Sequence, residues 1–195
     1  MLVSDVMTSP ALSVPRGAAL EVAIAILGRS SISSLPVVDE QGAVVGIVSE
    51  GDVLRDQLPR DPRAHLRTSL PTLARHRTVD DVMTPDPTCV TPTTDSSEVA
   101  QLLARKGWKS LPVVDEEQRL VGVVSRSDIL RVMAVPDADL TEAVHRALAE
   151  AGLPGVSVST TGGHVTVRPD APDLGPGALA VAATVPGIRS VQLDA

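Results

Sequence analysis

A serine followed three residues later by an aspartate, where an apolar run passes into a helical stretch, is the pattern in this sequence best suited to hold a small molecule. It occurs at Ser49 and Asp52, in Gly46-Ile47-Val48-Ser49-Glu50-Gly51-Asp52, and again at Ser125 and Asp128, in Gly122-Val123-Val124-Ser125-Arg126-Ser127-Asp128. The serine hydroxyl can cap the helix. The helix start offers free N–H groups and a partial positive charge, which suit a phosphate. An aspartate placed there can accept hydrogen bonds from the two vicinal hydroxyls of a ribose, as acidic residues do in dinucleotide folds. The same two residues also make a Ser/Asp form of the capping box, a purely structural device.

Other chemistry finds little support. The histidines at 65, 76, 145 and 164 form no pair with metal-ligand spacing, and Cys89 is the only cysteine. There is no G-x-G-x-x-G or Walker loop. No nucleophile stands out with a base beside it. The expectation is a chain that is not an enzyme, with no catalytic residue, no metal and no required cofactor.

The elements that must position these residues come in duplicate. Val3-Ser4-Asp5-Val6-Met7-Thr8 recurs as Val79-Asp80-Asp81-Val82-Met83-Thr84, and Leu35-Pro36-Val37-Val38-Asp39-Glu40 recurs as Leu111-Pro112-Val113-Val114-Asp115-Glu116. One offset of 76 residues relates both matches, and it also carries Gly46 to Gly122, Ser49 to Ser125, Asp52 to Asp128 and Arg55 to Arg131. Register held that far without a gap marks a duplication. Each copy predicts a helical turn near Asp5-Val6-Met7, a short strand at Leu12-Ser13-Val14, and a helix whose face carries Ala19, Val22, Ala23, Ile26 and Leu27 and which Gly28 and the serines after it end. Strands from Leu35 to Asp39 and from Ala43 to Val48 follow, turning at Gln41-Gly42, and a last helix starts near Glu50. The second copy repeats this through Leu111–Asp115, Leu120–Val124 and a helix with Ile129 and Leu130. The fold class is α+β: two pseudo-symmetric β-α-β-β-α repeats packed as a tandem, with clefts between them, and a small C-terminal domain. The domains are residues 1–57, a basic linker at 58–78, residues 79–135, and 139–195.

Composition narrows the partners. Aromatic residues make up 1%, with Trp108 alone, which weighs against stacking on bases. A net charge of −7 weighs against nucleic acid, since only the linker, with its five arginines, approaches a basic face. No apolar stretch approaches a membrane span and no signal peptide precedes the first repeat, so the membrane is not expected as a partner and the cytoplasm is the expected location.

The repeat resembles the CBS domain, and the pair resembles a CBS tandem (Bateman module). The resemblance rests on the Asp-Val-Met-Thr, Leu-Pro-Val-Val-Asp and Gly-x-Val-Ser-x-x-Asp motifs at constant spacing and spans about residues 1 to 135. It implies two pseudo-symmetric clefts, often occupied in that family by AMP, ADP, ATP or S-adenosylmethionine, and a regulatory role with a homodimer and a further protein partner. The family's ribose-binding aspartate falls on Asp52 and Asp128, and its hydroxyl residue on Ser49 and Ser125. The adenine would lie between Val14 or Val90 and the segments running into Pro36 or Pro112, with Ser33 and Ser34 in the first copy and Trp108, Lys109 and Ser110 in the second. Lys109 and Arg126 replace Ser33 and Glu50 of the first copy, which favours the second for an anionic phosphate. The rival expectation is a ligand-free scaffold or dimerisation module.

Residues 139–195 predict a helix with Leu140, Val144, Ala147 and Leu148 on one face, strands at Val156–Ser159 and His164–Val167 turning at Gly162-Gly163, a loop from Pro169 to Gly177, a helix at Ala178–Thr184 and a last strand at Ile188–Leu193. This α-β-β-α-β order resembles a BON domain, most clearly in Gly162–Val167 and Val185–Val191.

Overall fold

Val, Leu, Ile and Ala alone supply the cores, as a chain with no Phe or Tyr requires. The computed structural model describes residues 1–30, 32–57 and 77–194, so the basic linker lies almost wholly outside the described residues. The chain divides into two compact units that cut across the repeats. One holds Thr8–Pro92 and Arg105–Val124; the other holds Met1–Met7, Thr93–Ala104 and Ser125–Ala195.

In the first unit, β1 (Val14–Pro15), β2 (Ser34–Val38), β3 (Val44–Ser49) and β4 (Thr84–Pro85) form one sheet in that order. β1 runs parallel to β2, and the other pairs are antiparallel. Helix α1 (Leu20–Ser30) lays Leu20, Ala23 and Leu27 against Val14, Leu35, Val37 and Val48, all buried. Asp39 shapes the β2–β3 turn: one carboxylate oxygen accepts from the amides of Gln41 (3.0 Å) and Ala43 (2.8 Å), and Gly42 takes φ +82. Helix α2 (Glu50–Gln57) follows β3 directly.

β4 belongs to the second repeat. Its residues lie on β3 of the first, Thr84 opposite Ile47 and Pro85 opposite Gly46. The exchange is reciprocal: Thr8 of the first repeat trades amide–carbonyl bonds of 2.9 and 3.0 Å with Val123 on β6 (Leu120–Ser125). Strand β5 (Ser110–Val114) pairs with β6, and Val90 bridges Val113 as Val14 pairs with Val37. Where the two hairpins meet, the Val44 amide donates to the Gln118 carbonyl and the Leu120 amide to the Gly42 carbonyl, a symmetric pair under the 76-residue offset. Each repeat therefore covers a strand edge of the other, which leaves fewer unpaired N–H and C=O groups.

The second unit starts from the turn Val3–Asp5. The Val3 amide donates to the Thr94 carbonyl and the Ser96 amide to the Met1 carbonyl, both at the head of α3 (Ser96–Lys106). Helices α4 (Arg126–Met133) and α5 (Asp137–Glu150) follow. Then come β7 (Val156–Thr161), β8 (His164–Pro169), α6 (Gly175–Ala182) and β9 (Ser190–Leu193). β7 and β8 are antiparallel, and β9 runs parallel to β8. Val144, Leu148, Val156, Val165, Val167, Ala178 and Ala182 make the core of this α-β-β-α-β domain.

Several expectations need correcting. The strand read at Leu12–Val14 is Val14–Pro15, because the pairing with β2 comprises Val14 opposite Val37 and Pro15 opposite Val38. β2 begins and ends one residue earlier than read and β3 begins and ends one residue later, and β4 lies outside the expected strands because its partner lies in the other repeat. The segment read as loop to Gly177 turns helical at Pro172, and α6 starts at Gly175. Helix α1 ends at Ser30, within the stretch from Gly28 through the serines read as its end, and Gly28 itself is helical. A Cβ on Gly28 meets nothing within 4 Å. Gly28→Ala is accordingly expected to raise stability by about 1 kcal/mol through helix propensity, read as a higher urea midpoint. An unchanged or lower midpoint contradicts a helical Gly28. Among the described residues, no helix is long and apolar enough to cross a membrane.

Candidate functional site

Ser49 closes β3 and Asp52 sits in the first turn of α2, so strand end and helix start bring the two together. The Asp52 Oδ2 accepts from the Ser49 amide at 2.9 Å and from its hydroxyl at 2.6 Å, and the Ser49 Oγ stands 3.4 Å from the Asp52 amide. Arg55, one turn on, donates to Oδ1 at 2.5 Å. The twin is alike. Ser125 gives Asp128 Oδ2 its amide at 2.8 Å and its hydroxyl at 2.6 Å, the Asp128 amide donates to Ser125 Oγ at 3.2 Å, and Arg131 reaches Oδ1 at 3.1 Å. Both pairs are thus reciprocal caps, and Asp128 is buried. Arg55 and Arg131 were missing from the expected site. Their identity under the internal offset was the available signal.

Burial pushes the Asp52 carboxyl up, but the Ser49 hydroxyl and amide together with Arg55 outweigh it and hold the group below its ordinary 3.8. A carboxyl depressed by folding adds stability at pH values above its unfolded pKa. That stability is lost as pH falls through the folded value, so the window lies below about 4. The urea midpoint of the wild type is expected to drop on going from pH 5 to pH 3 by more than that of Asp52→Asn. Equal drops would show that the Ser49–Asp52–Arg55 cluster is not formed.

A cleft of about 320 Å³ opens beside this head, lined by Asp52, Arg55, Asp81 and Val82. Its size is at the lower end for a small-molecule site. Asp81 and Val82 belong to the second copy's Asp-Val-Met-Thr motif, delivered by the strand exchange. That is why reading each copy by itself missed them.

Of the remaining first-copy residues, Val14 is buried under α1, Ser34 and Pro36 are buried on β2, and Ser33 is half-buried just before it. The Ser34 and Ser110 hydroxyls are hydrogen-bonded to each other at the point where the copies meet. Ser110 and Pro112 are buried on β5, and Val90 is half-buried. Trp108 is exposed, with the Lys106 ammonium 5.9 Å from its ring centre, and so fills no core gap. These second-copy residues lie in the first compact unit, whereas Ser125, Arg126 and Asp128 lie in the other.

The cations that favoured the second copy both have protein partners. Lys109 Nζ makes a 2.6 Å ion pair with Glu50 at the head of α2, and Arg126 Nη2 donates to the Leu103 carbonyl at 2.9 Å. Neither is held ready for a phosphate, so the argument for preferring the second copy falls away. Among the described residues, no group of three His, Cys, Asp or Glu could hold a metal. Burial raises the Cys89 thiol pKa, which makes it a poor nucleophile.

Comparison with known proteins agrees with the repeat. The profile of the CBS domain matches residues 3–58 and 79–135. The magnesium transporter MgtE of Thermus thermophilus is 34% identical over 161 residues, 80% of this chain but 31% of the transporter. The chain thus spans under a third of that protein's length. A crystal structure of CBSX2 from Arabidopsis thaliana in complex with AMP is 26% identical with a TM-score of 0.56, covering 67% of this chain and 94% of that one. The CBS domain pair of protein MJ0100, in complex with 5′-methylthioadenosine and S-adenosyl-L-methionine, is 26% identical with a TM-score of 0.55, covering 68% and 94%. With the duplicated motifs, the exchanged strands and the matched profile in agreement over more than half its length, the chain belongs to the CBS domain family and carries two copies in tandem.

Proposed function

We propose that this chain is a non-catalytic regulatory module that binds an adenosine-type ligand, AMP, ADP, ATP or S-adenosylmethionine, and signals by a change of conformation. The observation that carries the reading is the buried or half-buried aspartate beside a serine at the head of α2, facing a cleft, and repeated at α4. Among the described residues, Asp52 Oδ1 is shared with a largely exposed arginine, so ribose hydroxyls can replace that partner without leaving a buried group unsatisfied. Ser49 and the start of α2 face the ligand's polar end, although the Glu50 amide already donates to the Ser33 carbonyl and the Asp52 amide to Ser49 Oγ. Val14, Ser33, Ser34 and Pro36 flank the base, with Val90, Trp108, Lys109, Ser110, Pro112 and Arg126 in the corresponding roles of the second copy. The adenosine compounds bound by CBSX2 and the MJ0100 domain pair support this ligand class. The family likeness also supports a homodimer, and the C-terminal element order supports a BON-like domain. A cytoplasmic setting fits the single cysteine.

A second reading has its own support. Both carboxylate oxygens of Asp52 already accept hydrogen bonds, from the cap and from Arg55, as in a scaffold that binds nothing. Titration calorimetry with AMP, ATP and S-adenosylmethionine separates the two. At least one is expected to bind, and the Asp52→Ala/Asp128→Ala double variant is expected to lose that binding by tenfold or more, about 1.4 kcal/mol. Silence with all three leaves the scaffold.

A further inference from the structure

The last helix of the second repeat leads straight into the C-terminal domain. Helix α4 runs through Ala134, Val135 and Pro136 into α5, and the C-terminal domain returns onto its final turn. Gly187, at φ +95, lies so close that a Cβ there would stand 2.9 Å from Leu140 Cδ2 and 3.0 Å from the Val132 carbonyl oxygen. Two residues on, Arg189 reaches the Met133 carbonyl at 3.4 Å. Its own amide donates to the Gly163 carbonyl at 2.9 Å, and its side chain covers Gly163. Asp137, the first residue of α5, accepts from the amides of Gly162 and Gly163 at 2.7 and 2.8 Å. One loop therefore grips both the last turn of α4 and the tip of the β7–β8 hairpin.

The other end of α4 carries Asp128. The helix is eight residues long, about 12 Å at 1.5 Å per residue. Arg131 spans the gap: its guanidinium holds Asp128 Oδ1, and its carbonyl accepts the Ala134 amide that caps the helix. A group that takes Asp128 Oδ1 from Arg131 thus disturbs a residue of the last turn. Arg131 holds the carboxylate in this structure, and a lever at this helix requires a second arrangement in which that hold is given up.

We propose that α4 is a lever and the C-terminal domain its output element: the state of Asp128 at the head sets the position of the last turn, and Gly187 and Arg189 pass it to the hairpin. The ligand that would work the lever rests on the function proposed above; the lever itself does not.

Hydrogen exchange on the full chain tests it, first without ligand. Asp128→Asn keeps the size of the side chain and weakens both its cap and its arginine bond. Exchange over residues 162–169 is expected to speed by about fivefold or more, the lower end of coupling between sites. Asp52→Asn makes the same change in α2 and is expected to leave 162–169 untouched. In an Arg189→Ala background the Asp128→Asn effect on the hairpin should vanish. An unmoved hairpin in Asp128→Asn overturns the lever, and so does an equal response to Asp52→Asn, which would mark general loosening. With AMP or S-adenosylmethionine added, slowed exchange over 126–133 is expected to extend to 162–169, and slowing confined to 126–133 also overturns it. No response to either compound counts against the ligand reading, and the variant arms then decide the lever alone.

Discussion

Truncating Leu35 to alanine is expected to cost about 3 kcal/mol, within the roughly 2–5 kcal/mol range for buried Leu→Ala. Leu35 is fully buried near the start of β2, opposite Val48, in one cluster with Leu20, Ala23 and Leu27 of α1. The cluster holds no aromatic ring that could tilt into the space. Four of its eight buried members are valines, Val14, Val37, Val48 and Val79, whose side chains are stiff, so the cavity should close only in part. For a chain of this size each kcal/mol moves the melting point by roughly 2–4 °C, which predicts a fall of roughly 6–12 °C. Leu54→Ala is the control: Leu54 is 55% exposed, and its loss should stay within about 0.5 kcal/mol. Urea unfolding followed by circular dichroism reads both. A Leu35→Ala loss below about 1 kcal/mol would mean that the cluster is not packed as described.

Much of this fold was written in local pattern. The 3.6-residue spacing of α1, α3 and α5, the turn at Gly162-Gly163 and the Ser–Asp junctions before α2 and α4 all depend on residues within a few positions of one another, and sequence reading reached them. What it missed depends on distant partners. β4 is a strand only because β3 of the other repeat lies beside it, so nothing in Thr84–Pro85 announces it. Asp81 and Val82 reach the Asp52 cleft by the same route. The charges of Lys109 and Arg126 were read correctly as cations, but Glu50 and the Leu103 carbonyl, 59 and 23 residues away, decide what those charges do. Glu50, which Arg126 replaces in the second copy, is half of an ion pair. That pair is largely exposed, so it contributes little to stability. Its consequence is electrostatic: it cancels the difference between the copies on which the preference for the second one depended.

The exchange of strands between repeats makes Gly46 a sharp test, because two effects on it have opposite signs. Gly46 is buried in β3, between Val37 on one side and Pro85 on the other. Propensity favours replacing a strand glycine by valine, by up to about 1 kcal/mol. Sterics oppose it. A Cβ at this position would overlap Met83 Sδ, lie 3.0 Å from Met83 Cγ and come within 3.3 Å of the Thr84 carbonyl. The methionine can swing, being flexible, but the Thr84 backbone is fixed in its pairing with Ile47. Overpacking of this kind costs about 1–3 kcal/mol. Gly46→Val is therefore expected to destabilise, with a lowered urea midpoint. Met83→Ala placed beside it should recover part of the loss by vacating the space, so a double-mutant cycle should show coupling of more than about 0.5 kcal/mol. A Gly46→Val chain as stable as the wild type, or more so, would mean that propensity acts unopposed. Met83 and Thr84 would then not lie on β3, and neither the interlocked repeats nor the cleft that Asp81 helps to line would exist.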